Sequence, residues 1–311
     1  MKKVVVIALL SVAGVAAAPF FGVVSLSTTV FWELRLPRVA LGFLAGSGLA
    51  MAGMTFQAMF RNPLATPFTL GVSSGAAFGA TVAIRMGWTF SILGIPCLSL
   101  AGLGGALVSL LLVYAIATMR RTSTTAVLLL AGAAASFFFS SLILFVTYVS
   151  DFGGSFRILR WLMGGLETVG GGAVLNVFPF VISGSAAVFC FARELNLLTL
   201  GEDLAASRGV DVGRARAVLF GAATLMVGGI VAFCGPIGFV GMMAPHICRL
   251  LVGSEHRALA PATFFFGGFF LVACDGIARL LIAPAEIPVG IITALLGGPF
   301  FVWLLVRRSP A

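Results

Sequence analysis

Ten apolar runs follow one another along this sequence with only short polar links between them, and this pattern constrains the fold most. Hydrophobic residues make up 60% of the chain and charged residues 9%. A bilayer offers the backbone no hydrogen bonds, so a run long enough to cross it must fold as an α-helix. We predict an all-α polytopic membrane protein, a tightly packed bundle forming a single transmembrane domain over residues 1–311. The expected spans are about 4–24, 37–58, 68–84, 92–118, 125–149, 171–191, 215–233, 237–252, 259–281 and 288–306.

The third and eighth predicted spans are short and contain glycine, serine or proline, so we expect them to be tilted, broken or partly re-entrant. The chain also has 39 glycines. Several recur at GxxxG spacing, which lets two helix backbones approach closely in lipid. The pairs are Gly42 and Gly46, Gly71 and Gly75, and Gly75 and Gly79. They predict close helix packing and indicate no particular function.

The N-terminal segment has two lysines, Lys2 and Lys3, followed by an apolar run and small residues. This order is typical of a cleaved signal peptide. The apolar run continues to Val24, however, and is then long enough to cross a bilayer. We therefore expect a retained first helix.

The basic residues indicate orientation rather than a nucleic-acid partner. The formal net charge is +9, but the basic residues are scattered singly or in pairs between apolar runs. With the N-terminus inside, 13 of them lie on the cytoplasmic side and six outside, as the positive-inside rule favours. We expect both termini to be cytoplasmic, with no nucleic acid bound. The five cysteines show no CxxC spacing, so neither a disulfide framework nor a metal site is indicated.

Residues 193–216, which we call the charged segment, carry eight of the 29 charged residues of the chain. Charges without partners are costly in lipid, so this segment needs water or a protein partner. Its middle reads as a short helix that Thr199 caps and Gly209 ends, with Leu200, Leu204 and Ala205 as a narrow apolar face. It is either a docking element or an ordinary solvated loop.

Two enzyme patterns carry little weight. The run GVSSG fits GxSxG, with Ser73 as a nucleophile and His246 as a base, which an intramembrane serine protease would need. That motif has meaning at a strand-to-helix turn, whereas small residues are expected in packed membrane helices. We therefore interpret Ser73 as a packing residue. The only lysines are Lys2 and Lys3, so a phosphate-loop lysine is excluded and any ATP must be hydrolysed by a partner.

Ion-coupled secondary transport is the stronger alternative, since it uses acids buried in the bundle. Asp275 is the only acid well inside a predicted span, and Arg279 follows one helical turn later as its expected partner. Arg35, Arg38 and Arg279 all fall at the predicted outer side. These arginines either extend to lipid headgroups or form a basic rim for an acidic partner.

Four stretches in this order resemble the permease family of ABC importers for cobalamin, haem and ferric siderophores. They begin at Arg35, Leu195, Gly235 and Asp275 and read RLPRVALGFLAGSGLAMAGMTFQAMFRNPLATPFTLGVSSGAA, LNLLTLGEDLAASRGV, GPIGFVGMMAPHICRL and DGIARLLIAPAEIPVGIITALLGGPFFVWLL. The resemblance covers almost the whole chain. It implies a ten-helix permease that works as a homodimer with two ATP-binding subunits and an external binding protein. It also implies that the chain binds no metal or cofactor directly, with ATP and Mg²⁺ used by the partner subunit.

The resemblance also implies roles for particular residues. Arg35, Arg38 and Arg279 match positions that grip acidic residues of the binding protein. The LGED stretch matches the cytoplasmic coupling helix that sits in a groove of the ATPase. The coupling positions are Leu200, Gly201, Glu202, Asp203, Ala205, Arg208 and Gly209. The cobalamin member has a Thr-Ser pair at the cytoplasmic gate, where this chain has Thr125 and Ala126 with Thr124 adjacent.

Overall fold

The computed structural model describes residues 2–22, 27–66, 68, 70–119, 125–167, 170–283 and 285–307. This part of the chain is almost entirely helical, with one two-stranded hairpin. The helices, numbered in chain order, are α1 Lys2–Ala17, α2 Leu36–Met59, α3 Val72–Arg85, α4 Cys97–Met119, α5 Thr125–Tyr148, α6 Phe152–Leu162, α7 Gly172–Cys190, α8 Ala192–Leu200, α9 Glu202–Ser207, α10 Val212–Cys234, α11 Val240–Val252, α12 His256–Leu281 and α13 Val289–Arg307. A 3₁₀ turn at Ala18–Phe20 and a π-helical turn at Val30–Arg35 join α1 to α2.

Each of the ten predicted spans corresponds to one helix, which confirms the all-α polytopic class. Seven helices in the described residues are long and apolar enough to cross a bilayer: α1, α2, α4, α5, α7, α10 and α12. The remaining three predicted spans are α3, α11 and α13. Helix α3 has 14 residues and α11 has 13, as the prediction of two short spans required.

Two elements differ from the sequence prediction. The fourth span begins at Cys97 and not near 92, because Ser91–Ile92 and Ile95–Pro96 pair as antiparallel strands. Leu93 and Gly94 both have positive φ between these strands, which is the geometry of a two-residue hairpin turn. The second difference is α6, a helix that the hydropathy pattern did not predict. Its 11 residues bury Gly154 and Ile158 while most of its other side chains stay exposed.

Helix α2 lies at the centre of the bundle, where it packs against α7, α10, α11 and α12. Its glycines allow these contacts. A methyl group on Gly53 would collide with the backbone of Gly241 in α11, and one on Gly46 would collide with the carbonyl of Gly267 in α12. Close backbone approach therefore replaces the hydrophobic drive that lipid does not supply.

The GxxxG prediction holds for one pair in α3 and is wrong for another. Gly75 and Gly79 both face α4, where an added methyl group would strike the carbonyls of Gly105 and Ala101. Gly71, in contrast, precedes α3 and has φ +80°. It therefore ends a turn in a left-handed conformation that favours glycine and does not form a helix-packing motif with Gly75.

Two clusters of side-chain polar contacts lie at opposite ends of the bundle. We call one the Asp275 end, where Arg38 at the start of α2 meets Asp275 near the end of α12. We call the other the Asn196 end, where Asn196 of α8 meets the start of α12. Helix α12, which has 26 residues, runs from one end to the other. Helix α1 packs along its side, with Gly14 against Phe269.

Candidate functional site

The Asp275 end contains a cluster of two arginines and two carboxylates drawn from three regions of the chain. Arg38 donates from Nε to both Asp275 oxygens, at 3.1 and 3.0 Å, and from Nη2 to Oδ1 at 2.9 Å. Its Nη1 donates to Glu286 Oε2 at 2.6 Å. Arg279 Nε lies 3.1 Å from Asp275 Oδ2, an ion pair whose N–H is not aligned for a hydrogen bond. The predicted pairing of Asp275 with Arg279 is therefore present, and Arg38 joins it.

Burial makes this cluster costly to disrupt. Asp275 is 2% exposed, whereas the Glu286 side chain is about half exposed. A buried carboxylate needs opposite charge and hydrogen bonds to offset its lost hydration. The two carboxylates balance the two guanidinium groups, so the cluster is neutral overall. Arg38 and Arg279 are thus held inside the chain rather than displayed as a fully exposed rim.

Arg35 lies apart from the Asp275 interactions described above. It is 6% exposed, and its Nη1 donates to the carbonyl of Pro19 at 3.0 Å. Gly22 packs against the same guanidinium group, since a methyl group there would lie 2.8 Å from Arg35 Nη2. Arg35 therefore joins the end of the first span to the start of the second. The docking role of Arg35, Arg38 and Arg279 stays a prediction.

The charged segment folds as two short helices with a sharp break between them. Helix α8 continues through Thr199, so the prediction that Thr199 caps the short helix is wrong. The break falls at Gly201, whose φ of 134° suits glycine. Helix α9 then begins with Glu202 and Asp203 and stops before Gly209, which has φ +81°, as predicted.

The apolar face predicted for this segment divides into a buried and an exposed part. Ala205 is 0% exposed and packs into the protein. Leu200 and Leu204 are 66% and 41% exposed, next to the exposed carboxylate of Asp203. The end of α8 and helix α9 therefore each present one leucine outward, while Ala205 anchors α9 in the protein.

Polar contacts that sequence reasoning missed anchor the charged segment to the bundle. Glu202 forms an ion pair with Arg216 in the first turns of α10. Asn196 accepts from the backbone N–H of His256 at 2.9 Å and donates to Glu255 Oε1 at 3.2 Å. Glu255 also caps α12 by accepting from the N–H groups of Arg257 and Ala258. These partners are 14 and about 60 residues apart in sequence, so local patterns could not reveal them.

The serine and histidine of the protease alternative do not form a catalytic pair. Ser73 is 1% exposed, and its Oγ makes no hydrogen bond within the described residues. His246 packs edge-on against Phe300, with ring centroids 5.7 Å apart. A serine nucleophile needs a base within hydrogen-bond reach, so the arrangement favours packing for Ser73.

The predicted gate residues fall at the start of α5 in the sequence. Thr124 lies outside the described residues, and Thr125 and Ala126 are the first two residues of α5. Within the described chain, no group of three His, Cys, Asp or Glu side chains is arranged to hold a metal ion. The cysteines Cys97, Cys190, Cys234, Cys248 and Cys274 are free thiols.

Comparison with known proteins supplies the family. The model of the FecCD transport family matches residues 3–307. The cobalamin import system permease protein BtuC of Halobacterium salinarum is 43% identical over 295 residues, which cover 94% of this chain and 78% of that protein. The hemin transport system permease protein HmuU of Yersinia pestis is 36% identical over 281 residues, which cover 90% of this chain and 84% of that protein.

A solved structure shows the same fold. It is an inward-facing conformation of a transporter described as a metal-chelate type ABC transporter. Its TM-score is 0.88 at 34% identity, and the match covers 99% of both chains. The family predicted from the four sequence stretches is confirmed. The chain belongs to the FecCD transport family and is one of its multi-pass membrane permeases.

Proposed function

We propose that this chain is the permease subunit of an ATP-driven importer that carries a metal chelate into the cytoplasm. The chelate is a ferric siderophore, haem or cobalamin, delivered by an external binding protein. Similarity to proteins described as cobalamin and hemin permeases supports this substrate class. In this proposal two copies of the chain form the pathway, and two separate subunits bind and hydrolyse ATP with Mg²⁺. The chain lies in a bacterial inner membrane with both termini cytoplasmic.

The observation that carries the proposal is the way α9 is presented. Exposed apolar side chains grouped on a segment that faces water are typical of a protein-interaction site. Leu200 at the end of α8 and Leu204 in α9 are exposed, while Ala205 is buried and the Glu202–Arg216 ion pair ties α9 to α10. Exposed leucines on a well-anchored helix can transmit force from a bound partner, whereas a solvated loop would not. This geometry favours a docking helix for the ATPase.

Helix α12 supplies a route from this docking helix to the far side of the membrane. Asn196 joins α8 to the first turn of α12 through His256 and Glu255. Near its other end, α12 carries Asp275 and Arg279 in the charged cluster. A tilt imposed at the Asn196 end can therefore pass along this one continuous helix to the charged cluster. Rigid-body motion of packed helices is a common form of coupled transition.

Docking of the external protein is assigned to the Asp275 end. Asp275 holds Arg38 and Arg279 close together, and Glu286 accepts a hydrogen bond from Arg38 Nη1. A carboxylate of the binding protein can replace the Glu286 carboxylate at Arg38, because the Glu286 side chain is half exposed. Arg35 supports this site from the α1–α2 link. Thr124, Thr125 and Ala126 are assigned to the cytoplasmic gate by resemblance alone.

Transport in sealed vesicles tests the proposal. We expect chelate uptake to require ATP and a co-reconstituted ATPase subunit, and to persist when an ionophore collapses the proton gradient. Vesicles that contain an ATPase variant able to bind but not to hydrolyse ATP are the matched control. Uptake by this chain alone, driven by a gradient, would instead favour the secondary-transport alternative, in which Asp275 carries the ion.

A further inference from the structure

A cleft of about 290 Å³ opens at the Asn196 end, between α8, the segment 208–211 and the start of α10. Three arginines line it: Arg193, Arg208 and Arg214. All three side chains are exposed, and within the described residues none of them forms a side-chain hydrogen bond or an ion pair. Three unpaired guanidinium groups around one small cleft favour an anionic ligand.

The cleft also contains two carboxylates, which limit the charge it can accept. Asp211 is already engaged, since its Oδ1 accepts from the backbone N–H of Arg214 and caps α10. Glu194 lines the cleft, and its Oε2 is a buried oxygen without a hydrogen-bond partner in the described chain. Three guanidinium groups against two carboxylates leave one positive charge. A phosphodiester carries one negative charge and would make the cleft neutral.

An exposed apolar stripe on α7 ends next to this cleft. Leu175, Phe178, Ile182 and Phe189 are all exposed and recur at helical spacing along one side of α7. Arg193 follows Phe189 by four residues, just beyond the end of the helix. An apolar stripe that ends in basic residues at a helix terminus matches the change from acyl chain to headgroup in a bilayer.

We propose that this cleft binds the headgroup phosphate of an anionic phospholipid whose acyl chain lies along the α7 stripe. The α7 stripe favours a lipid over an acidic protein as the ligand. A protein carboxylate would need no apolar surface leading from the bilayer to the cleft. The bound phosphate bridges α8, Arg208 in the link after α9, and the start of α10. This inference requires only that the chain spans a membrane and does not depend on the proposed transport function.

Lipid binding to the purified full chain tests the assignment. Phosphatidylglycerol, phosphatidylcholine and inorganic phosphate are each added to the detergent-solubilised protein, and bound molecules are counted by native mass spectrometry. We expect one tightly bound phosphatidylglycerol per chain, with phosphatidylcholine about tenfold weaker. Millimolar inorganic phosphate should leave the lipid in place, because it lacks the acyl chains.

Matched variants locate the site. Arg193→Gln, Arg208→Gln and Arg214→Gln should each weaken phosphatidylglycerol binding roughly fivefold, as expected for one basic residue at a membrane surface. Glu194→Gln should strengthen binding, because it removes a competing carboxylate. Arg257→Gln, an exposed arginine at the same end, changes net charge equally and should have no effect. Thermal unfolding of every variant shows whether the fold is retained.

Three results would overturn the assignment. Equal binding of phosphatidylglycerol and phosphatidylcholine would exclude headgroup recognition. Displacement of the lipid by inorganic phosphate would assign the cleft to the free anion. Unchanged lipid binding in the three cleft variants, together with loss of ATPase subunits on co-purification, would assign the arginines to an acidic surface of that partner.

Discussion

At the scale of single residues, Asp275 organises the charged cluster. It is almost fully buried, accepts three hydrogen bonds from Arg38 and forms an ion pair with Arg279. The planar guanidinium of Arg38 also reaches Glu286, so one side chain joins two carboxylates. Lysine offers a point charge on a flexible stem and cannot reproduce that fork.

Substitutions of Arg38 should show separately how this residue contributes to stability and to docking of the external protein. Arg38→Lys should keep the charge but weaken binding of the external protein, since the bidentate geometry is lost. Arg38→Ala should lower affinity by roughly 30-fold or more and destabilise the chain by about 2–5 kcal/mol, since it leaves a buried carboxylate with fewer partners. Binding isotherms and thermal unfolding measure the two effects.

Glu286→Gln is the matched control for these variants. It leaves the Arg38–Asp275 contacts in place, so stability should be unchanged and docking equal or tighter. Equal docking affinity in the wild type, Arg38→Ala and Arg279→Ala would remove the cluster from the docking site.

Ser73 tests the protease alternative at the same scale. Ser73→Ala should leave chelate uptake and thermal stability unchanged, because the Oγ makes no hydrogen bond that the substitution could remove. His246→Ala should likewise leave uptake largely intact. Cleavage of a peptide substrate that either substitution abolishes would contradict this expectation.

At the scale of elements, α9 should connect the chain to an ATPase. Leu204→Glu places a like charge beside Asp203 and removes an exposed apolar contact, so substrate-stimulated ATP hydrolysis should fall at least tenfold if Leu204 is one of the few residues that dominate such an interface. Ser207→Glu, exposed in the same helix, is the control for added charge. Hydrolysis that stays coupled in Leu204→Glu would make the charged segment an ordinary loop.

The close approach of α2 and α11 makes a separate prediction about packing. Gly53→Ala should destabilise the chain by about 1–3 kcal/mol, because the new methyl group meets the backbone of Gly241. Gly221→Ala in α10 has open space around the methyl group and should be neutral or about 1 kcal/mol stabilising. Thermal unfolding in detergent compares the two, and equal effects would contradict the packing described above.

The elements also show which features the sequence could predict. The hydropathy pattern located all ten spans. A segment that crosses lipid must be apolar and must form its backbone hydrogen bonds within its own helix. The hydropathy pattern missed α6, whose 11 residues are too few to cross a bilayer, although Asp151 before it and Gly164 after it are typical of helix ends. It also misplaced the start of α4, where Gly94 was the available signal for a turn.

The candidate site was predictable in its residue types and less so in its contacts. The spacing of Asp275 and Arg279 predicted their ion pair, because residues one helical turn apart share a face. The bond from Arg35 to Pro19, and the bond from Asn196 to His256, depend on how distant segments pack. Side-chain periodicity within one helix carries no information about such partners.

At the scale of the whole molecule, the charged cluster and the charged segment lie at opposite ends of one bundle, and α12 runs between them with its first turn bonded to Asn196 of α8. This arrangement suits a permease that receives cargo at one end and is driven from the other. Besides the contacts at its two ends, α12 accepts a hydrogen bond from Ser47 of α2 at the Phe264 carbonyl. We therefore expect ATP hydrolysis that acts on the chain through α9 to drive uptake.

The most direct measurement is chelate uptake into sealed vesicles that contain the chain and its ATPase subunit, with the proton gradient collapsed. We expect uptake that needs ATP hydrolysis and that Leu204→Glu reduces to background, while Ser207→Glu transports normally. Uptake that persists without ATP, or that the chain alone sustains from an ion gradient, would contradict it.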